Sequence, residues 1–379
     1  MNRSLATISS YAASFAGLGT PPIGIAISKR IVRVLQVRGD RVDDGLTAAV
    51  APIDGLDPAG VAATVRQLVE EGPFRGRRCV VSLPRSMVAV QAMRMPALAD
   101  EDLRAAIRWE APERFGVDRE RAQSDFLRTG LVTEGRDEVL AVCGDRPGVE
   151  SLLNPLVDAG LRPEAAEPSF VAAARACSRT CRRESDRGKI RAAVEIDADG
   201  ATILVLQGSR IAFARGVAIG GDAFEAAIAR SLGIGSDEAA SLRRDRMATA
   251  GAALSGRADA HPVDPEAHAA AADATRGLRT DLAHEVARCL RYYGVTFRGP
   301  AAAEVRLCGE DALEPGLDAS IAEVTRLPVT NDDPDAGIRR LFDACNRQVH
   351  DERGHVAWCI AYGAATRPAR SGLARKEAA

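Results

Sequence analysis

A 19-residue block near the start of the chain has a second copy halfway along it. Gly24–Val42 reads GIAISKRIVRVLQVRGDRV, and Ala193–Ile211 reads AVEIDADGATILVLQGSRI, at an offset of 169 without a gap. Both blocks alternate apolar and polar residues in places and reach a turn at a glycine, which is typical of half-buried β-strands. A strand–turn–strand unit that opens each of two α/β halves predicts a two-lobed fold that clamps phosphates. The identical pairs are Ile27 and Ile196, Leu35 and Leu204, Gly39 and Gly208, and Arg41 and Arg210.

The composition is that of a globular protein with room for two or more domains. Of the 379 residues 46% are apolar and only 4% aromatic, so the core must rest on Val, Ile, Leu and Ala. The formal net charge of −2 gives no electrostatic basis for binding nucleic acid. A membrane-spanning helix needs roughly 18 or more consecutive apolar residues, and none is expected here. The eight cysteines are scattered, which indicates structural thiols in a reducing, cytoplasmic compartment.

Shifts in composition divide the chain into segments. Residues 1–20 are expected to be a flexible N-terminus, or alternatively a contact with a membrane surface or a partner, and 367–379 a disordered tail. An Ala-rich stretch at 247–275 is expected to be a mobile connection. The remaining boundaries are 21–72 for part of a first lobe, 73–168 for an inserted α/β subdomain, 169–191 for a return helix and basic linker, and 192–366 for a second lobe.

Several motifs occur in an order and spacing that are more specific than any one of them. Val80–Asp118 contains two strands around Leu83-Pro84, then a helix with an acidic first turn and the step Trp109-Glu110-Ala111. Glu138–Ala176 follows as strand–helix–strand and ends at Glu167-Pro168. The later motifs are the Ala193–Ile211 hairpin, the Gly220-Gly221 turn, SDEAASLRR at Ser236–Arg244 and RLCGEDALEPGLDASI at Arg306–Ile321.

These motifs resemble the type IV pilus assembly protein PilM family, actin-like proteins related to the cell-division protein FtsA. The resemblance covers about Ile23 to Thr366. It implies a duplicated actin-like (ribonuclease H-like) α/β fold of two lobes, with an inserted α/β subdomain in the first lobe. Family members lie on the cytoplasmic face of the inner membrane, bind the short cytoplasmic N-terminus of the membrane protein PilN, and link the pilus platform to its motor ATPase. The resemblance therefore implies a PilN-like peptide and a pilus motor as partners, with membrane association only through partners.

The nucleotide site that the resemblance implies departs from the family pattern. Actin-like proteins hold ATP between two glycine-containing hairpin turns whose backbone N–H groups face the phosphates. The first-strand acid and glycine of that pattern fall at Ala26 and Ser28 here. The second hairpin carries Glu195 at the acid position, and its turn places carboxylates where a triphosphate would arrive. The candidate nucleotide-binding residues are Ser28, Lys29, Arg30, Glu195, Asp197, Asp199, Gly200, Gly220, Gly221 and Gly309.

Two interpretations of this cleft remain open. In one, Lys29 and Arg30 neutralise phosphates and Asp197 or Asp199 binds Mg²⁺, so ATP with Mg²⁺ is the cofactor. In the other, the cleft is degenerate and the fold is a scaffold. The loss of both the glycine and the acid of the first hairpin favours the scaffold, because it removes close backbone approach and metal positioning together. No catalytic residue and no metal ligand are therefore predicted.

The leading hypothesis is a non-catalytic adaptor in which the inserted subdomain and the adjacent lobe bind an extended peptide of a membrane partner. One alternative is an ATP-hydrolysing protein of the FtsA type, and another is a cytoplasmic piece of a type II secretion system. Trp109 is expected to pack in the subdomain or to line the peptide groove. His350 and His355 are expected to lie in a surface loop, because a spacing of five separates them on a helix.

Overall fold

The computed structural model describes residues 20–37, 46–181, 186–254, 264–331 and 355–368. Gly39 and Arg41 of the first repeat lie outside the described residues, as do the side chains of His350 and His355 and the terminal segments 1–19 and 369–379. Among the residues that are described, no helix is both long enough and apolar enough to cross a membrane.

Thirteen strands are described, and they form three sheets. The strands are β1 (Ile23–Ile27), β2 (Ile31–Val37), β3 (Leu46–Pro52), β4 (Arg78–Leu83), β5 (Val88–Met95), β6 (Ala122–Thr133), β7 (Arg136–Asp145), β8 (Arg162–Pro168), β9 (Ile190–Asp197), β10 (Gly200–Gln207), β11 (Arg210–Val217), β12 (Val305–Cys308) and β13 (Val329–Thr330). The helices are α1 (Pro58–Glu71), α2 (Asp100–Phe115), α3 (Arg146–Asp158), α4 (Ser169–Cys177), α5 (Gly221–Leu232), α6 (Ser236–Leu254), α7 (Pro265–Phe297), α8 (Leu317–Thr325) and α9 (Cys359–Ala365).

The two five-stranded sheets have the same topology, which confirms the predicted duplication. Their orders are β3-β2-β1-β4-β8 and β11-β10-β9-β12-β13. In each sheet the first strand of the repeat is antiparallel to the second and parallel to the strand on its other side. The registers also agree at the offset of 169, since Gly24 lies opposite Leu35 and Ala193 lies opposite Leu204. The repeated hairpin therefore occupies the centre of both lobes.

A three-stranded antiparallel sheet, in the order β5-β7-β6, forms the inserted subdomain together with α2. Its own core contains Met93, Leu103 and Ile107. The structure corrects the predicted boundaries of 73–168, because β4 and β8 are parallel members of the first lobe's sheet. Helix α3 also packs on that sheet through Leu152 and Leu156. A short apolar run can predict a buried strand, but its periodicity does not show which sheet that strand joins.

The predicted mobile connection at 247–275 is wrong for the residues that are described there. Helix α6 continues to Leu254, and α7 starts at Pro265 and runs for 33 residues. Alanine has the highest intrinsic helix propensity, so an Ala-rich stretch favours helix over a mobile loop. Asp264 caps α7 by accepting hydrogen bonds from the N–H groups of Glu266 and Ala267. Residues 255–263 lie outside the description.

The last helix that is described, α9, packs on the first lobe. The predicted second lobe of 192–366 is therefore wrong at its C-terminal end, because α9 belongs with the first lobe. Helix α9 packs against β1 and α4 through two glycines. A Cβ atom on Gly24 would lie closer than 3.0 Å to the carbonyl oxygen of Ala361, and a Cβ on Gly363 would do the same at Ala172. Only glycine therefore permits this approach of helix to strand and of helix to helix.

Candidate functional site

The first hairpin turn, Ser28-Lys29-Arg30, is closed by its own serine side chain. The backbone N–H groups of Arg30 and Ile31 both donate to Ser28 Oγ, at 3.3 and 3.1 Å, and the hydroxyl donates in turn to Ile31 O at 2.9 Å. In a phosphate-binding turn such N–H groups point at the ligand. Two backbone donors of the first turn are thus already satisfied within the turn.

The two cations of this turn reach across the cleft to the start of α5 in the second lobe. Arg30 makes a two-pronged contact with Glu225, with both nitrogen–oxygen distances at 2.6 Å, and also donates to Asp222 at 2.9 Å. Lys29 Nζ lies 2.7 Å from Asp222. The hydrogen bond to Glu225 is the main reason that the pKa of Arg30 is raised above its usual value. Lys29 and Arg30 are therefore paired with carboxylates of the opposite lobe.

The second hairpin turn, between β9 and β10, packs directly against the N-terminus of α5. The N–H of Asp222 donates to Ala198 O at 2.8 Å. A Cβ atom on Gly220 would lie closer than 3.0 Å to Asp197 O and to the backbone nitrogen of Gly200. Gly200 itself has a φ of +152°, which glycine adopts more readily than other residues. Three of the predicted nucleotide-binding residues, Asp197, Gly200 and Gly220, therefore lie together at this turn.

Two further predicted glycines hold the loop after β12 against this turn. Gly309 has a φ of +102°, and a Cβ atom there would lie closer than 3.0 Å to Ile196 O. A Cβ atom on Gly221 would clash with the Asp311 carboxylate. The loop after β12 therefore carries its two acids, Glu310 and Asp311, to the floor of the cleft.

Buried carboxyl groups line that floor. Neither carboxylate oxygen of Glu195 has a hydrogen-bond partner of good geometry among the described residues. Burial raises the pKa of Glu195 to about 7, against the opposing influence of the Ser169 hydroxyl and the Arg85 charge. Burial also raises the pKa of Asp197, and the nearby carboxylates of Glu310 and Glu195 raise it further. These two acids thus favour their neutral forms, as expected where like charges share a low-dielectric site.

Sequence reasoning missed two buried arginines that pair with other acids around the cleft. Arg33 lies in the apolar strand β2 and pairs with Glu310 at 2.7 Å, with both side chains almost completely buried. On α6, Arg243 contacts three acids: Asp311 at 2.7 Å, Glu314 at 2.9 Å and Glu225 at 3.5 Å. The one signal in the sequence was an arginine within the run IVRVLQV, because a charge in a central strand needs a partner.

The residues that would hold Mg²⁺ and a triphosphate can be compared with this geometry. Carboxylates such as Asp197, Glu195 and Asp199 are the ligand type that Mg²⁺ prefers. The backbone oxygen of Asp199 accepts a hydrogen bond from Arg85 at 3.3 Å. A triphosphate would meet these carboxylates while Lys29 and Arg30 face Asp222 and Glu225. The arrangement fits a cation better than it fits phosphate.

A second concave feature lies between the inserted subdomain and the first lobe. Its walls come from β4, β8 and α3 on one side and from β5, β6 and β7 on the other. Strand β6 lies at the edge of its sheet. Trp109 does not line this groove; it is 64% exposed on α2, where the Arg119 guanidinium stacks on its ring at 3.7 Å. The lining residues include Leu83, Val88, Val142, Val149, Ala166 and Pro168, with Gln123, Ser124 and Asp125 along one rim.

Comparison with known proteins agrees with this architecture. The structure of a PilM–PilN type IV pilus biogenesis complex matches with a TM-score of 0.70 and 19% identity, covering 92% of this chain and 99% of that chain. The ethanolamine utilization protein EutJ from Carboxydothermus hydrogenoformans matches with a TM-score of 0.51 and 14% identity, over 91% of this chain and 88% of that chain. Both matches support the predicted actin-like fold. No curated protein sequence matches the chain.

The family model described as "Type IV pilus assembly protein PilM" matches residues 47–250, which is more than half of the chain. This match covers the inserted subdomain, the second hairpin and the start of α6, where most of the motifs noted in the sequence lie. The chain therefore belongs to the type IV pilus assembly protein PilM family.

Proposed function

We propose that this protein is a non-catalytic adaptor of the inner-membrane assembly platform of a type IV pilus or a related secretion system. It would act in the cytoplasm, at the inner face of the inner membrane, by binding a short peptide of a PilN-like membrane protein. The observation that carries the proposal is the pairing of Lys29 and Arg30 with Asp222 and Glu225 across the cleft.

This pairing argues against a triphosphate as the normal occupant of the cleft. For a phosphate to take Lys29 and Arg30, the ion pairs with Asp222 and Glu225 must open. Those two carboxylates would then face the negative phosphates at close range, and the partly buried Glu225 would lose its best partner. Like charges in a poorly solvated site repel strongly. The cleft therefore serves to lock the lobes together, and ATP hydrolysis is not its role.

The groove between the inserted subdomain and the first lobe is the proposed peptide site. Its apolar lining encloses about 60 Å³, which suits a single apolar anchor side chain of an extended segment, and β6 at the edge of the sheet offers backbone groups to an added strand. The structural relative with the TM-score of 0.70 is a complex of PilM with PilN, which supports a PilN-like partner for this chain. The pilus motor ATPase is proposed as a second partner of the assembled platform.

Peptide binding by two matched variants tests the adaptor role. A fluorescent synthetic peptide of the cytoplasmic N-terminus of the PilN-like protein from the same organism is titrated with the full chain, and anisotropy is followed. Val88→Arg places a charge in the groove, whereas Val132→Arg places the same charge at an exposed site on the same subdomain. Because Val88 also packs against the core, circular dichroism and thermal unfolding first check that Val88→Arg is folded. The proposal predicts binding by the wild type and by Val132→Arg, and a loss of roughly tenfold or more for Val88→Arg. Equal affinities for the two variants, or no binding by folded wild type, would contradict it.

An ATP-binding protein of the FtsA type remains the second candidate. The buried carboxyls of Glu195 and Asp197 favour it, because buried acids clustered at a cleft floor are candidates for holding a hydrated Mg²⁺. That function requires Mg²⁺-dependent nucleotide binding that fails in Asp197→Asn. A folded chain that binds the peptide and ignores nucleotide would favour the adaptor.

A further inference from the structure

Three cysteines from distant parts of the chain converge where the two lobes meet. Cys177 ends α4, Cys308 ends β12, and Cys359 begins α9. Their Sγ atoms all lie within 4.8 Å of one another. Cys177 and Cys308 are buried, and Cys359 is partly exposed. Scattered structural cysteines were expected from the sequence, so the meeting of these three was not predicted.

The spacing of the three sulfurs suits a single metal ion. Three thiolates at about 2.3 Å from a common centre in a plane lie roughly 4 Å apart. None of the sulfur–sulfur distances exceeds 4.8 Å, which is close to that arrangement. A disulfide would use only two of the sulfurs and leave the third without a role.

Arginine side chains lie beside the cluster. Arg306 donates to the backbone oxygen of Cys177 at 3.0 Å, and both Arg306 and Arg191 contact the single carboxylate of Glu304. The Arg306 guanidinium therefore lies beside Cys177, and a neighbouring cation stabilises a thiolate.

The apolar surroundings and the thiolate ligands together indicate which metal ions the cluster could bind. The cluster lies in an apolar core that contains Phe170, Leu204 and Ile360, so hydrated oxygen-liganded ions such as Mg²⁺ are disfavoured. Thiolate ligands select soft ions, namely Cu(I) and zinc. The partly exposed Cys359 gives such an ion a way in.

We propose that Cys177, Cys308 and Cys359 form a three-thiolate site for one thiophilic metal ion, either Cu(I) or Zn²⁺. Binding forms metal–sulfur bonds at the three sulfurs and releases the thiol protons to solvent. The ion would tie α4 and α9, which pack on the first lobe, to β12 of the second lobe. The proposal does not rest on the adaptor function.

The test is a competition titration of the reduced full chain under anaerobic conditions. Cu(I) is offered from its complex with bicinchoninate, and Zn²⁺ from a complex with a zinc-sensitive dye, in separate arms. The variants are Cys177→Ser and Cys359→Ser, and the matched control is Cys289→Ser, a buried thiol on α7. Circular dichroism and thermal unfolding check that each variant folds; Cys359→Ser changes a partly exposed residue and keeps the test available if Cys177→Ser misfolds.

The proposal predicts one equivalent of Cu(I) or of Zn²⁺ bound by the wild type, and the arm that succeeds identifies the ion. Affinity should fall by roughly 100-fold or more in Cys177→Ser and Cys359→Ser and stay unchanged in Cys289→Ser. The metal should also raise the unfolding temperature of the wild type and leave that of Cys359→Ser unchanged. Failure of the wild type to compete for either ion, or full binding by folded Cys359→Ser, would overturn the proposal.

Discussion

Replacing Arg30 by alanine is the sharpest test of the lock between the lobes. The substitution removes a two-pronged contact with Glu225, at 2.6 Å for each prong, and a third contact with Asp222 at 2.9 Å. Lys29→Ala is the matched control, because Lys29 belongs to the same turn and contacts the same Asp222 at 2.7 Å.

The two substitutions should differ in cost because the two side chains differ in burial. The Arg30 side chain is 16% exposed and that of Glu225 is 11%, whereas the Lys29 side chain is 59% exposed. Hydrogen bonds to charged groups contribute about 1.5–3 kcal/mol, and breaking a fully buried pair costs about 3–5 kcal/mol. Glu225 keeps Arg243 as a partner at 3.5 Å, which limits the loss. We expect about 2–3 kcal/mol for Arg30→Ala and about 0.5 kcal/mol or less for Lys29→Ala.

Urea unfolding of the full chain, followed by circular dichroism, measures both costs. A double-mutant cycle with Glu225→Gln isolates the pair, and its coupling energy should be about 1–2 kcal/mol. If Arg30→Ala were no more destabilising than Lys29→Ala, or if the cycle showed no coupling, the contact would not hold the lobes together.

Three further outcomes are expected. Gly220→Ala should lower the unfolding temperature clearly, because its Cβ would press on Asp197 O, whereas Gly235→Ala, with open space around its Cβ, should leave that temperature nearly unchanged. Glu195 has a folded pKa of about 7, raised from 4.5, so the stability gained from its neutral form is full below about pH 4.5 and is lost as the pH rises through 7. Urea midpoints between about pH 5 and 7.5 should therefore fall less steeply in Glu195→Gln, and identical slopes would refute the assignment. Trp109→Ala should change the free energy of unfolding by about 0.5 kcal/mol or less, since the ring is exposed; a larger loss on urea unfolding would place it in the core.

The sequence contained enough to predict the central hairpins and the two-lobed α/β architecture. The repeat at offset 169 predicted strands that the structure pairs in matching register, Gly24 with Leu35 and Ala193 with Leu204. Such a repeat is informative because strand register is set by the alternation of buried and exposed positions. The likeness to the PilM family was also confirmed, although each of its motifs is short.

Long-range contacts set the limit of what could be predicted. Nothing local in the sequence indicates that β4 and β8 join the first sheet, that α9 returns to β1, or that Arg33 finds Glu310. The cysteines illustrate the same limit, since Cys177, Cys308 and Cys359 are remote in sequence and meet only in the folded chain. Pairings between remote segments depend on topology, which periodicity and composition do not specify.

We propose that Lys29 and Arg30 bind carboxylates of the opposite lobe in preference to phosphates. Thermal unfolding of the full chain with and without millimolar Mg²⁺–ATP, Mg²⁺–ADP and a non-hydrolysable analogue tests it most directly. A ligand at 100 times its Kd stabilises the folded state by about 2.7 kcal/mol, which is readily measured. We expect no shift in the unfolding temperature with any of these nucleotides. A clear rise with Mg²⁺–ATP that disappears in Arg30→Ala would contradict it and establish the cleft as a nucleotide site.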